Sequence, residues 1–198
     1  MKISTFLYFA KFGIRTVLFR KKDPILGTII VTDKCNLSCR HCSVNNITGV
    51  IHPYRQIKGE MEQLYAMGVR ILFFCGGETF LWRDNEKCLR DLVMEAKEMG
   101  FLIVNVVTNG TFPIDLPEAD LILLSLDGDR KRHNQIRGET YDLIMENIRH
   151  ATADNICFYM AVNRLNKDAV RDVCETARDT KHVRAVSFNF HTPYPDTT

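Results

Sequence analysis

Long apolar runs, paired zinc-type cysteines and a surplus of either charge are all missing from this 198-residue chain, and each absence removes a class of protein. Lys11 and Arg15 interrupt the most apolar stretch, so no run reaches the roughly 20 residues that a transmembrane helix needs. The amino terminus also lacks the small-residue cleavage site of a secretory signal. With 26 basic and 24 acidic residues the net charge is only +2, too balanced for a protein held electrostatically on nucleic acid. The 11 glycines and 6 prolines are too few for collagen or a disordered chain, and 45% of the residues are hydrophobic. No linker, low-complexity tract or internal repeat divides the sequence. One core of this length buries roughly 70% of the unfolded chain's surface, so disulfides are not needed for stability. Seven cysteines are nevertheless present, an odd number, three of them within eight residues. That pattern points to metal chemistry in a reducing, cytoplasmic compartment.

The charge is unevenly placed. Six of the basic residues (Lys2, Lys11, Arg15, Arg20, Lys21 and Lys22) and no acid fall in residues 1–22, so this segment carries +6 and the remainder −4. Read as a helix, Ile3, Phe6, Leu7, Ala10, Ile14, Val17 and Leu18 form one broad apolar stripe, with Phe9, Phe12 and Phe19 on a second flank. Residues 1–24 therefore read as a basic, aromatic, amphipathic helix. It either packs across one end of a domain spanning residues 25–198 or lies on a membrane surface with its cations toward anionic lipid.

From residue 25 onward, short apolar runs alternate with helical patterns, the signature of βα units and a parallel sheet. Six strands are expected at 27–32, 69–74, 101–107, 121–126, 156–162 and 185–190, most of them nearly continuous apolar runs, as in strands buried on both faces. Crossover helices are expected around 54–67, 84–99, 140–153 and 166–178, while the link between the third and fourth strands looks short. Repeated right-handed crossovers give either an open doubly wound sheet or a partial barrel. Each strand runs into polar or glycine chemistry at its carboxyl end: Asp33 to Cys42, Gly76-Gly77-Glu78, Thr108-Asn109-Gly110, Asp127-Gly128, Asn163, and His191 to Pro195. Parallel α/β folds assemble their sites at that edge.

Cys35, Cys39 and Cys42 form C-x3-C-x2-C after the first strand. Three thiolates this close in sequence can converge on one soft metal centre. A structural zinc site would need a fourth ligand and usually a second cysteine pair, which the chain lacks, and His41 is wedged between two of the cysteines. Three protein ligands on a four-iron cube leave one iron open.

These residues, their strand–loop context and the later motifs resemble the radical S-adenosylmethionine (SAM) superfamily over nearly the whole chain from about residue 27. The resemblance implies a partial (β/α)6 TIM barrel. It implies a [4Fe–4S] cluster on Cys35, Cys39 and Cys42, whose open iron chelates the methionine part of SAM. It further implies reductive cleavage of SAM to a 5′-deoxyadenosyl radical that abstracts hydrogen from a substrate, with no catalytic side chain beyond the cluster ligands. By the same resemblance His41 lies near the adenine, and Gly76, Gly77 and Glu78 meet the cofactor's ammonium. Thr79 stands where proline often follows that glutamate. Ser125 and Asp127 reach the carboxylate and ribose, and Arg137 is the partner of the methionine carboxylate, against the alternative of a surface ion pair. Thr108, Asn109 and Asn163 are further cofactor-side candidates, set against plain turn residues. His191 to Pro195 stack adenine, line a substrate pocket or form an ordinary loop.

Cys75, Cys88, Cys157 and Cys174 read as small buried hydrophobes, with Cys88 and Cys174 in helices. Expected partners are a small-molecule cofactor and an electron donor such as flavodoxin or ferredoxin, with no nucleic acid. The substrate is open: a peptide is suggested by the Ser125–Gly138 segment, a lipid or membrane-associated molecule by the amino terminus. A non-catalytic iron–sulfur module is the rival reading. Because the family's core usually continues with another helix, the chain reads as either a fragment or a minimal version.

Overall fold

A computed structural model describes residues 3–42 and 48–192. Six strands, β1 (Leu26–Thr32), β2 (Ile71–Gly76), β3 (Ile103–Thr108), β4 (Leu121–Ser125), β5 (Ile156–Val162) and β6 (Val183–Phe190), follow one another across a single parallel sheet in chain order. Among the described residues six α-helices accompany them: α1 (Ile3–Phe19), α2 (Tyr54–Ala66), α3 (Leu89–Met99), α4 (Arg130–Arg137), α5 (Tyr141–Arg149) and α6 (Val170–Asp179). The sheet begins at β1 and ends at β6 without pairing those two, which is a partial barrel.

The apolar runs explain the sheet. Ile29, Leu72, Phe74, Val104, Val106 and Ile122 are all buried, and Ile57 and Met61 of α2 with Leu92 and Val93 of α3 join the same core. Trp82, fully buried, satisfies its ring N–H by donating to the His52 carbonyl at 2.8 Å. Side chains of this kind, covered on both faces, are what a parallel strand requires.

The helices depart from expectation at their starts and ends. The segment expected to be helical from residue 84 first makes a small antiparallel hairpin, pairing Arg83 with Cys88 and Asp84 with Lys87. Asn85 turns it in the left-handed region at φ 52°, a conformation asparagine tolerates better than most residues. Helix α3 starts only at Leu89, where the Asp91 carboxylate accepts the Cys88 backbone N–H at 2.7 Å. Cys88 thus sits at a cap and not inside a helix. The segment expected at 140–153 ends at Arg149, and that expected at 166–178 opens with a 3-10 turn over Lys167–Ala169 before α6. Helix α4 was not expected at all. Its eight residues bury only His133 and Ile136, too few for a visible stripe, and it is held by the Asp129 side chain accepting the Arg132 N–H at 2.8 Å.

Helix α1 docks at the amino-terminal end of the sheet. The Tyr8 hydroxyl donates to the Gly68 carbonyl at 3.0 Å, Arg15 pairs with Asp23 at 2.7 Å, and the Arg70 guanidinium lies 5.9 Å from the Tyr8 ring. Among the described residues no helix is long and apolar enough to cross a membrane.

Candidate active site

The loop after β1 and the turn after β2 are built as one unit. Gly77 donates its N–H to the Thr32 carbonyl at 2.7 Å, and Glu78 donates to the Lys34 carbonyl at 2.9 Å. The two chains pass so closely that a Cβ on Gly77 would lie 2.3 Å from the Lys34 oxygen, and one on Gly76 would lie 2.0 Å from the Thr32 oxygen. Gly76 also has a φ of 139°. The glycine pair therefore allows the cysteine loop to close against β2.

Further bonds fix that loop. Asp33 Oδ2 accepts from both the backbone N–H and the hydroxyl of Thr48 at 2.6 Å. Arg40 donates its N–H to the Ile136 carbonyl at 3.0 Å, tying the loop to α4. Cys35 Sγ accepts from the Leu37 N–H at 3.5 Å and from Asn109 Nδ2 at 3.7 Å, and Asn109 also donates to Asn36 Oδ1 at 2.9 Å.

Behind the turn, Glu78 is completely buried. Its carboxylate accepts from the Thr108 hydroxyl at 2.8 Å, the Asn109 N–H at 2.7 Å and the Phe80 N–H at 3.0 Å. Burial pushes the Glu78 carboxyl upward, and these three donors pull it back toward the ionised form.

On the opposite side Arg137 is enclosed, with each guanidinium nitrogen committed. Nε donates to Asp127 Oδ2 at 2.5 Å, Nη1 to Cys39 Sγ at 3.8 Å, and Nη2 lies 3.3 Å from His41 Nε2. The Asp127 carboxylate also accepts the Ala161 N–H at 3.0 Å. Burial opposes the Arg137 charge, but Asp127 together with the Cys39 and Cys42 sulfurs more than offsets it. Burial, with Arg137 second, lowers both His41 and His133 to about 4. Burial also raises the Cys35 and Cys39 thiols, and the Arg137 charge pulls Cys39 back down.

A cavity of about 370 Å³ lies at the carboxyl ends of the strands. Cys35, Cys39, Cys42 and His41 line it, with Gly76, Gly77, Thr108, Asn109, Ser125 and Arg137. Glu78 and Asp127 stand behind the wall, bracing Asn109 and Arg137. Asn163 does not itself line it; its amide donates to the carbonyl of the lining residue Ala161 at 3.1 Å and accepts the Leu165 N–H at 2.8 Å. His191 and Thr192 line the cavity, whereas Pro193, Tyr194 and Pro195 fall outside the described residues.

Tyr159, Ala161 and Asn189 also line it, and no sequence motif marks any of the three. Their signal was the strand period of two. Ser125 pairs with Tyr159 across β4 and β5, Ala161 pairs with Asn189 across β5 and β6, and alternate residues point to one face. Asn189 Nδ2 donates to the Tyr159 hydroxyl oxygen at 2.9 Å.

The donor chemistry fits an iron–sulfur cluster. Among the described residues no three His, Cys, Asp or Glu side chains gather closely enough for one metal ion. A four-iron cube binds each thiolate through a different iron and accommodates a wider set. The buried Nδ1 of His41 and Nε2 of His191 lack hydrogen-bond partners among the described residues, and both rings border the cavity.

The Radical SAM superfamily model matches residues 29–177. The chain belongs to the radical SAM superfamily. Radical SAM enzymes use a [4Fe–4S] cluster and SAM. A relative of this family, the sporulation killing factor maturation protein SkfB of Bacillus subtilis (strain 168), is 32% identical over 169 residues, covering 77% of this chain and 39% of that protein. The 7,8-dihydro-6-hydroxymethylpterin dimethyltransferase of Methanocaldococcus jannaschii is 30% identical over 188 residues, covering 85% of this chain and 36% of that one. The chain thus spans less than two-fifths of the curated relatives it matches. In fold it is similar to SuiB of Streptococcus suis bound to SAM, with a TM-score of 0.73 at 15% identity over 95% of this chain and 47% of SuiB. SuiB has also been solved with its precursor peptide SuiA.

Proposed function

We propose that this protein binds a [4Fe–4S] cluster through Cys35, Cys39 and Cys42 and cleaves SAM reductively to begin radical chemistry on a peptide. The observation that carries the proposal is the convergence of the three cysteines, the Gly76–Gly77 turn, Ser125 and Arg137 on one cavity. When bound, the cluster supplies the electron that breaks the sulfonium carbon–sulfur bond and releases the 5′-deoxyadenosyl radical. The protein's own part is positioning. Gly76 and Gly77 offer a wall without side chains, along which the methionine amino group would be held. Glu78 holds the Thr108–Asn109 turn in place from behind. Ser125 presents a hydroxyl to the ribose side, and His41, kept neutral by burial and by Arg137, offers an uncharged ring to the adenine. Asp127 locks the Arg137 guanidinium beside Cys39.

The peptide assignment draws support from the similarity to a killing-factor maturation protein and from a cavity lined by Tyr159, Asn189, Phe190 and Thr192, which mixes aromatic surface with hydrogen-bonding groups. A small one-electron carrier such as flavodoxin or ferredoxin supplies the reducing equivalent, and residues 1–22 provide a membrane contact.

Iron and sulfide analysis after anaerobic reconstitution tests the ligand set, with electron paramagnetic resonance of the reduced protein testing SAM contact. Cys35→Ala, Cys39→Ala and Cys42→Ala are each expected to lose the complete cluster, whereas Cys88→Ala and Cys174→Ala retain it. SAM is expected to shift the g values of the wild-type cluster. Equal iron loss in both cysteine sets, or a spectrum indifferent to SAM, contradicts the assignment.

A further inference from the structure

Helix α1 has two unlike faces. One meets the protein: Thr5 is buried, and Tyr8, Phe12 and Arg15 border a small crevice closed by Asp23, Met67 and Gly68. The other carries Phe6, Leu7, Ala10, Ile14, Val17 and Leu18. At 3.6 residues per turn these six fall within an arc of about 120°. All six are exposed, and the five large ones are between 53% and 77% accessible. The docked face is already occupied, so the arc is not the core-facing side of the helix.

Charge selects its partner. No acid occurs in residues 1–22, and Lys11, Arg20, Lys21 and Lys22 are exposed at the border and carboxyl end of the helix. Arg15 is spent on Asp23. A second copy of the chain would bring one acid-free cationic helix against another, whereas an anionic bilayer offers apolar depth and opposite charge together.

The docking also sets direction. Gly68, which takes the Tyr8 hydrogen bond, precedes β2, so α1 lies at the amino-terminal end of the strands. The cysteine cavity opens at the carboxyl ends, about 20 Å away for strands of six residues. We infer that α1 lies on an anionic lipid surface through the Phe6–Leu18 arc, leaving the cavity mouth turned to the aqueous side. The inference deepens the membrane contact assigned to residues 1–22, and it means that substrate enters from water and not from the acyl phase.

The test uses the full chain and vesicles of phosphatidylcholine, alone or mixed with phosphatidylserine. Wild type is expected to float with the anionic vesicles, and the Leu7→Glu/Leu18→Glu double variant to partition about tenfold less or weaker, since two large apolar side chains no longer enter the interface. Both positions are exposed, and far-ultraviolet circular dichroism checks that α1 persists. Orientation is read by quenching with brominated lipid. Val17→Trp is expected to be quenched and Phe190→Trp, at the cavity mouth, to stay bright; native Trp82 is fully buried and gives a constant background.

Equal partitioning of wild type and double variant, or no flotation of either, overturns the lipid surface. A concentration-dependent dimer lost in the double variant, without vesicle binding, assigns the arc to a second copy and overturns it as well. Quenching of Phe190→Trp as strong as that of Val17→Trp overturns the orientation. None of these outcomes depends on cluster loading, so failure here is separable from failure of the radical SAM reading.

Discussion

At the residue scale, two buried charged groups brace the cavity wall, Glu78 behind Asn109 and Asp127 behind Arg137. Arg137 is buried and not a surface ion pair, and Asp127, Cys39 and His41 each meet one of its three nitrogens. Glu78 faces inward, to Thr108 and Asn109, which lie about 30 residues further along. Such partners depend on tertiary packing and are not visible in a local motif. His133 is similar: its Nδ1 accepts the Asp127 N–H at 3.2 Å, so its Nε2–H donates to the Thr140 hydroxyl at 3.1 Å. Burial and Arg137 lower its pKa from 6.5 to about 4. In the unfolded chain this histidine takes a proton below about 6.5, whereas the folded protein resists until about 4. Stability is therefore complete above pH 6.5 and falls as the pH drops through that window, by an amount on the order of 3 kcal/mol. Urea midpoints of the cluster-free protein at pH 7 and pH 5 should differ accordingly. His133→Asn, which keeps an acceptor near the Asp127 N–H, should show a smaller difference; an identical pH dependence would remove His133 from the account.

At the element scale, all six strands were legible because each is an apolar run long enough for a buried strand, and their carboxyl-end chemistry identified the functional edge. The helices were less so. Helix α4 buries two side chains and announces itself only through its Asp129 cap, and the Arg83–Cys88 hairpin imitated the first turn of α3 until Asn85 is seen in the left-handed region. The cavity-facing Tyr159 and Asn189 were readable from period-two alternation once strand pairing was known. The contact between the β1 loop and the β2 turn yields a prediction of its own. Gly77→Ala places a methyl group 2.3 Å from the Lys34 carbonyl oxygen, so the cysteine loop must move. The variant should lose about 1–3 kcal/mol in thermal or chemical unfolding, as overpacked sites do, and retain less iron after reconstitution. Wild-type iron content in a destabilised Gly77→Ala protein would show that the glycine serves packing alone.

At the scale of the whole molecule, the barrel separates two ends with different chemistry. Helix α1, with its exposed apolar arc, sits where the strands begin, and the cysteine loop, Ser125, Arg137 and His191 gather where they end. The parallel sheet enforces this division, since every strand delivers its carboxyl end to the same side. The central claim is that this end of the molecule cleaves SAM. Its most direct test is chromatographic measurement of 5′-deoxyadenosine after anaerobic reconstitution and reduction, comparing wild type with Cys39→Ala. Product formed by the wild type and absent from the variant is the predicted result. A fully loaded wild-type cluster that leaves SAM intact, with candidate peptides present, would contradict it.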